Sequence, residues 1–362
     1  MDLESEVGGD TPADQSSGGG KRPSWLKRLL ILALVLVLAL AVVAAVAWRH
    51  FQGFASSPLP IEKAVVVEIP PGTGVKLLAA RLTEKGLIPD PYRFELLARV
   101  EKFASRIKAG EYQLEPGVSP RAALELFASG KVIAYSETLV EGWNFSQMMD
   151  AVRNSPILER TLPDLEPETV MKALGQEGVH PEGRFYPDTY LFPRGTTDVE
   201  FLSRAYRTME AKLDEAWAAR SAGLPLNTPY EALILASIVE KETAAPEERP
   251  RIAGVFVRRL QKGMRLQTDP TVIYGMGDLY KGNIRRRDLK TDTPYNTYTR
   301  KGLPPTPIAM PGGAALHAAL HPLDGKTLYF VARGDGSGTH VFSETLKAHN
   351  RAVAEHQLKR RR

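Results

Sequence analysis

Residues 229–275 read PYEALILASIVEKETAAPEERPRIAGVFVRRLQKGMRLQTDPTVIYG, and this stretch predicts two helices joined by a polar loop. Taken at about 100° per residue, the first helix has one apolar stripe. The stripe consists of Ile234, Leu235, Ile238 and Val239. Glu242 continues the stripe, whereas Glu240 points to the opposite side. Because burial raises the pKa of a carboxyl group, Glu242 can hold a proton near neutral pH and act as a general acid. The alternative is a glutamate at a fraying helix end that simply faces water.

The second helix of this stretch is predicted from Pro246 to Lys262, with Gly263 as its stop. Its apolar residues fall on one face, as expected of a helix that packs against a core. The polar residues 267–269 come just before Pro270, an arrangement that suits hydrogen bonding to a substrate. A turn held by its own side chains is the other interpretation of this triplet.

Two further segments have the composition of a sugar-binding surface. Residues 181–193, PEGRFYPDTYLFP, alternate aromatic rings with carboxylates and prolines and cannot form a regular helix. Residues 294–299, PYNTYT, are polar and aromatic with few charges. Aromatic faces stack on the C–H bonds of sugar rings, and carboxylates accept hydrogen bonds from sugar hydroxyls. For the first segment, a structural loop held by aromatic packing is an equally good interpretation.

The composition is that of a globular protein with room for two or three domains. The chain has 362 residues, of which 43% are hydrophobic and 25% are charged. It has no cysteine, which excludes disulfides, thiolate metal sites and cysteine nucleophiles. The net charge of +5 comes in large part from the terminal HQLKRRR, so we expect no nucleic-acid partner.

An apolar run rich in Leu, Val and Ala predicts a transmembrane helix over residues 29–48, with a tryptophan near each end. Basic residues precede the run and only Arg49 closely follows it. The positive-inside rule therefore places residues 1–28 in the cytoplasm, where we expect them to be disordered, and the rest of the chain outside. This arrangement predicts a single-pass membrane protein. A cleaved signal peptide is the alternative.

Residues 49–140 are predicted to form a small subdomain in which strands and helices alternate. A short linker over 51–60 leads to a strand at 64–69, a Pro-Pro-Gly turn and an amphipathic helix that ends at Gly86. A last strand is expected over 133–140. The strand–PPG–helix–GLI pattern resembles the LysM-type cell-wall-binding module, which implies recognition of a glycan polymer. A purely structural subdomain is the alternative.

Residues 141–362 are predicted to form a mixed α/β catalytic domain, so the expected fold class is α+β with one transmembrane helix. His317 and His321 lie four apart, but the sequence has no obvious third ligand and no HExxH motif. It also has no GxSxG or SxxK motif for a serine nucleophile. We expect no metal and no cofactor, and the remaining chemistry is acid–base catalysis by a carboxyl group on a polymer.

The motifs of the chain are similar to those of the endolytic murein transglycosylase family, also called YceG-like. The similarity rests on ASIVEKET at 236–243, LQTDPTVIYG at 266–275, YNTY at 295–298, GLPP at 302–305 and PDTY at 187–190. The LysM-like segment near 64–88 also matches, and the resemblance covers residues 26–358. The acidic, Gly-rich N-terminus is the unusual part.

This resemblance implies a bacterial inner-membrane lyase that cuts within nascent peptidoglycan strands. Such an enzyme breaks the β-1,4 bond between N-acetylmuramic acid and N-acetylglucosamine and leaves a 1,6-anhydro-muramyl end without adding water. The Glu-Ser/Thr pattern of lytic transglycosylases assigns the catalytic acid to Glu242, in agreement with the helical face. The substrate contacts it implies are Gln267, Thr268, Asp269, Tyr274, Asn296, Thr297, Tyr298, Asp188 and Tyr190. Peptidoglycan synthases are the expected protein partners.

Two other functions fit the sequence. One is a non-catalytic scaffold of the cell-wall synthesis machinery that binds peptidoglycan through the LysM-like subdomain. The other is a muramidase that cleaves the same bond with water. An anhydro end is one water lighter than a hydrolysed end, so mass spectrometry of the product separates the lyase from the muramidase.

Overall fold

The structure is a computed structural model, and it describes residues 24–358. Most of the predicted cytoplasmic segment 1–28 and the last four residues of the basic tail lie outside the described residues. Contacts within the chain define two compact units, with the boundary between Lys131 and Val132. The first unit contains the apolar N-terminal helix, and the second contains the predicted catalytic helix pair.

The N-terminal helix α1 spans Ser24–Ser56 and includes the predicted membrane span 29–48. Among residues 24–358 it is the one helix that is long and apolar enough to cross a bilayer. The large apolar side chains along residues 29–46 are exposed, as expected of a surface that contacts lipid.

The linker predicted over 51–60 is wrong in its first half, because α1 continues to Ser56. Gln52 accepts a hydrogen bond of 2.7 Å from Arg121, and Ala55 is fully buried. These contacts offset the roughly 1 kcal/mol that a glycine such as Gly53 costs in a helix.

The rest of the first unit has the order strand, helix, helix, strand, helix. Strands β1 (Val65–Ile69) and β2 (Gly110–Leu114) form an antiparallel pair. Helices α2 (Val75–Glu84) and α3 (Pro91–Val100) connect the two strands, and α4 (Pro120–Ser129) follows. The predicted strand at 64–69 and the helix that ends before Gly86 are confirmed. The core of the unit includes Leu78, Phe94, Tyr112, Leu124 and Phe127.

The second unit begins with two short strands that are far apart in sequence. Strand β3 (Tyr135–Thr138) pairs antiparallel with β4 (Thr189–Phe192). The strand predicted over 133–140 is therefore shorter than expected. It belongs to the second unit, because it pairs with β4 rather than with a strand of the first unit. The helices of this region are α5 (Phe145–Asn154), α6 (Pro167–Ala173) and α7 (Asp198–Ala218).

Helix α8 (Pro229–Glu242) lies in the main core of the second unit, with α9 (Arg249–Gln261) and α11 (Gly313–Leu320) packed against it. The predicted helix 246–262 is α-helical only from Arg249, because residues 246–248 form a 3₁₀ turn.

Helix α10 (Asp269–Met276) was not predicted, and it begins at the last residue of the polar triplet 267–269. Pro270 occupies its first turn, where a missing N–H costs nothing. Near the end of the chain, strands β5 (Tyr329–Ala332) and β6 (His340–Ser343) form an antiparallel pair. Helix α12 (Leu346–Val353) and a π-helical turn (Ala354–Leu358) follow it.

Candidate active site

Helix α8 delivers Glu242 to the edge of a cleft. Residues 232–239 are all buried, so this part of the helix is enclosed on every side rather than along one stripe. Thr228 caps its start by accepting a hydrogen bond of 3.2 Å from the Glu231 N–H, and Glu242 is its last residue. A helix held so firmly fixes the position of the carboxyl group at its end.

The Glu242 carboxyl accepts a hydrogen bond from the Thr268 hydroxyl. Burial raises the pKa of Glu242 to about 7, and the charge of Asp269 adds to the rise. The Thr268 hydrogen bond and the positive charge of Arg259 act in the opposite direction. A carboxyl group with this pKa is partly protonated at neutral pH and can both give and take a proton.

Glu240 faces a different set of partners. It forms an ion pair of 3.0 Å with Arg249 and accepts a hydrogen bond of 3.0 Å from the Gly312 N–H. Its side chain is only 6% exposed, which the helical-face argument did not predict. Burial raises the pKa of Glu240, whereas Gly312 and Arg249 lower it. A carboxyl that holds two elements together in this way is suited to a structural role.

The cleft at Glu242 has a volume of 470 Å³ and is called the Glu242 cleft below. Its wall consists of Glu242, Arg259, residues 266–269, Tyr298, residues 329–332, His340 and several residues of α12 and the turn after it. Polar, charged and aromatic side chains share this wall with aliphatic ones.

The polar segment 267–269 and the segment 296–298 meet beside Glu242. The Thr268 N–H donates to the Thr297 hydroxyl (3.1 Å), and the Gln267 N–H donates to the Thr297 carbonyl (3.2 Å). The Tyr298 hydroxyl donates to Asp269 over 2.6 Å. Burial, followed by the hydrogen bond to Asp269, raises the pKa of Tyr298. Gln267, Thr268, Asp269 and Tyr298 thus line the Glu242 cleft.

Asn296 and Thr297 lie behind this wall and are buried. The Asn296 amide donates to the carbonyls of Asp288 (3.1 Å) and Thr291 (2.6 Å). Thr297 shares a hydrogen bond of 2.9 Å with the Thr271 hydroxyl. These two residues therefore support the residues that face the cleft.

Tyr274 lies on the other side of α10 and faces a second cavity. Its hydroxyl donates to Glu182 over 3.0 Å. This cavity, called the Glu182 pocket below, has a volume of 940 Å³. It is lined by Gly142, residues 144–147, Pro167, residues 180–182, Lys241, Pro270, Ile273, Tyr274, Gly277, Asp278, Tyr280, Tyr295 and Ile308.

Asp188 and Tyr190 line neither cavity. Asp188 is exposed, and its carboxyl accepts from the Thr189 N–H over 2.7 Å. Tyr190 is 4% exposed, and its hydroxyl donates to the Tyr186 carbonyl over 2.8 Å. These contacts give Tyr190 a structural role, in line with the aromatic-packing interpretation of residues 181–193.

Three side chains of these two cavities were missed in the sequence. Arg259 donates to the carbonyls of Leu266 (2.6 Å) and Leu328 (2.7 Å) and lines the Glu242 cleft. It lies on the apolar face of α9, and a charged residue on such a face was the signal that could have found it. Glu182 belongs to the segment 181–193, whose carboxylates were noted in the sequence, whereas His349 had no comparable local signal.

His349 also lines the Glu242 cleft and stacks on Tyr329, with ring centroids 5.3 Å apart. Its Nδ1 atom is buried and has no hydrogen-bond partner within residues 24–358. Burial, and then the charge of Arg259, lowers the pKa of His349. The ring is therefore a neutral hydrogen-bonding group at neutral pH.

The described part of the chain holds no cluster of three or more His, Asp or Glu side chains that could bind a metal ion. His317 and His321 stack on each other with ring centroids 4.3 Å apart. His321 Nε2 lies 2.9 Å from the Ala219 carbonyl.

The fold and the site together define an α+β protein with a carboxyl group placed for acid–base chemistry in a polar cleft. The profile of the YceG-like family matches residues 67–355. The chain belongs to this family, which confirms the resemblance seen in the sequence motifs.

Two relatives of the chain are both named endolytic murein transglycosylase. An endolytic murein transglycosylase of Bacillus subtilis (strain 168) is 33% identical over 314 residues, which cover 81% of this chain and 86% of that protein. An endolytic murein transglycosylase of Streptococcus pneumoniae serotype 2 is 28% identical over 352 residues, which cover 87% of this chain and 63% of that protein. The crystal structure of a yceG-like protein from Listeria monocytogenes has a TM-score of 0.49 at 30% identity and covers 80% of this chain and 99% of that chain.

Proposed function

We propose that the protein is an endolytic lytic transglycosylase that cleaves the β-1,4 bond between N-acetylmuramic acid and N-acetylglucosamine within nascent peptidoglycan strands. The observation that carries this proposal is the Glu242 carboxyl, which has a pKa of about 7 and lies in a polar cleft. The names of its relatives, which are endolytic murein transglycosylases, supply the substrate class.

One carboxyl group is enough for this reaction. Protonated Glu242 gives its proton to the glycosidic oxygen as the bond to the anomeric carbon breaks. The carboxylate then takes the proton of the C6 hydroxyl, whose oxygen bonds to the anomeric carbon. The products are a 1,6-anhydro end and a new free hydroxyl, so no water is consumed and Glu242 regains its proton. Cutting the strand in this way terminates its elongation.

Four residues of the cleft wall are placed to hold the sugar. Thr268 orients the Glu242 carboxyl through its hydroxyl. Asp269, which is exposed and bonded to Tyr298, can accept hydrogen bonds from sugar hydroxyls and favour positive charge on the sugar ring. Gln267 supplies an exposed amide at the same edge. Asn296 and Thr297 are buried behind these residues and support their positions.

The location that suits this activity is the outer side of the inner membrane. Helix α1 fits a single-pass anchor, and the basic residues before it favour a cytoplasmic N-terminus. We further propose that the part of residues 49–140 that belongs to the first unit, up to Lys131, binds glycan as a LysM-like subdomain, an assignment that the strand–helix–helix–strand order supports. Peptidoglycan synthases are the proposed protein partners, since they make the strand that is cut.

The test compares Glu242→Gln with Glu240→Gln on purified uncross-linked glycan strands. We expect Glu242→Gln to abolish 1,6-anhydro ends while the protein stays folded and bound to glycan. Glu240→Gln, which can keep a hydrogen bond to Arg249, should keep most of the activity. Mass spectrometry of the ends is the readout, because a hydrolysed end is one water heavier. Binding without any product from the wild-type protein would refute the proposal in favour of a scaffold.

A further inference from the structure

The Glu182 pocket and the Glu242 cleft share a wall. At the end of α8, Lys241 lines the pocket and its neighbour Glu242 lines the cleft. At the start of α10, Pro270 lines the pocket and its neighbour Asp269 lines the cleft. Two pairs of consecutive residues therefore lie between the cavities, so the Glu182 pocket and the Glu242 cleft are immediate neighbours.

The floor of the Glu182 pocket is a buried carboxyl group in a fixed position. Glu182 is 3% exposed. Its two oxygens lie 3.1 and 3.2 Å from the Phe145 N–H, and one of them accepts the Tyr274 hydroxyl over 3.0 Å. Burial raises the pKa of Glu182 to about 7, so the floor carries little charge below that pH.

Aromatic rings form one side of the pocket. Tyr274 and Tyr295 pack edge to face with centroids 4.9 Å apart, and Tyr295 shares a hydrogen bond of 2.9 Å with the Thr306 hydroxyl. Tyr280 stands at the mouth, partly exposed. Rigid rings of this kind present apolar faces at a low entropic cost.

The opposite side of the pocket is polar. It includes Ser146 and Gln147 from the first turn of α5, both exposed. The Lys241 ammonium is held against the wall by a hydrogen bond of 3.0 Å to the Gly142 carbonyl. The pocket thus combines ring faces, hydroxyl and amide groups and two charged side chains, Lys241 and Asp278, a mixture that matches a sugar ring better than an apolar ligand.

We propose that the Glu182 pocket is a second glycan-binding subsite, which holds sugar rings of the same strand whose bond lies at Glu242. This inference rests on the proposed function for the identity of the polymer. The subsite makes the enzyme prefer long strands to short oligosaccharides, because a short oligosaccharide that fills the Glu242 cleft does not reach the pocket. Tyr280 and Ser146 control its mouth.

The test measures binding in the full-length Glu242→Gln protein, which holds glycan without cutting it. The probes are long strands freed of stem peptides and a tetrasaccharide of the same repeat. Tyr280→Ala removes a ring from the mouth, and Ser146→Trp blocks it. We expect each change to weaken binding of long strands about tenfold, with the affinity for the tetrasaccharide unchanged. Leu279→Ala, an exposed neighbour that does not line the pocket, is the matched control.

Equal losses for both probes, or no loss for either, would overturn the subsite. A loss seen only with strands that keep their stem peptides would also overturn it, because the pocket would then bind peptide. Each outcome is read from binding and does not depend on cleavage. A failure of the proposed function appears separately, as the absence of anhydro ends from the wild-type protein.

Discussion

The Glu242 cleft and the Glu182 pocket each contain a glutamate whose pKa is raised to about 7, mainly by burial. Their surroundings differ. Glu182 is closed in and accepts hydrogen bonds from the Phe145 N–H and the Tyr274 hydroxyl. Glu242 lies at a helix end, keeps some exposure and accepts from the Thr268 hydroxyl. A raised pKa alone therefore does not mark a catalytic acid; access to a substrate is also needed.

The largest difference between the two glutamates should appear in activity. Glu242→Gln should lower the formation of anhydro ends by about 10²–10⁴-fold, the range typical of a lost general acid. Glu182→Gln should cost less than about tenfold, since the amide can still accept one of the two hydrogen bonds. The rate of anhydro-end formation on uncross-linked glycan measures the effect of each substitution. Equal losses in the two variants would remove the distinction between a reacting and a supporting carboxyl.

The second difference between the two glutamates concerns how the free energy of unfolding depends on pH. The folded-state pKa of Glu182 is raised from 4.5 to about 7. Between pH 4.5 and about 7, the Glu182 carboxyl is deprotonated in the unfolded chain and protonated in the folded chain. The free energy of unfolding therefore falls as pH rises through this window, by up to about 3 kcal/mol, and levels off above it.

Chemical denaturation across this pH window checks the prediction. Glu182→Gln should have a shallower decline than the wild-type protein, because the amide does not titrate. Glu177→Gln, at an exposed position, should keep the wild-type slope. An unchanged slope in Glu182→Gln would show that the pocket carboxyl is not buried in its neutral form.

The smallest expected effect is a shift in the pH profile. Activity should fall above a pH of about 7, as Glu242 loses its proton. Thr268→Val removes the hydrogen bond that lowers the pKa of Glu242, so the alkaline limb should move to higher pH. Thr299→Val removes a hydroxyl that contacts Asp292 and should leave the limb in place. A limb that moved to lower pH in Thr268→Val would contradict this account.

Local signals in the sequence were enough for several elements. Gly263 predicted the end of the second helix of the pair, and α9 ends just before it, at Gln261. The strand at 64–69 and the helix that follows it were also predicted from turn and stop residues. Capping and turn formation depend on residues within a few positions of each other, so one sequence contains the information.

Other features depend on partners that are distant in sequence. Residues 181–193 have the composition of a sugar-binding surface, yet Phe185, Tyr190 and Phe192 lie in the core. Strand β4, which contains the last two, forms because β3 pairs with it. Composition alone cannot tell an aromatic ring that stacks on a sugar from one that packs in a core.

The sequence determined which carboxyl ends the apolar helix, and through its motifs it determined the family. Tertiary structure alone decided what surrounds that carboxyl and its neighbours. It brought Thr268, Asp269 and Arg259 to Glu242, tied Glu240 to Arg249, and enclosed Glu182 beside Tyr274. The physical reason is that a pKa or a cavity depends on burial and on charges from several elements, which local periodicity does not contain.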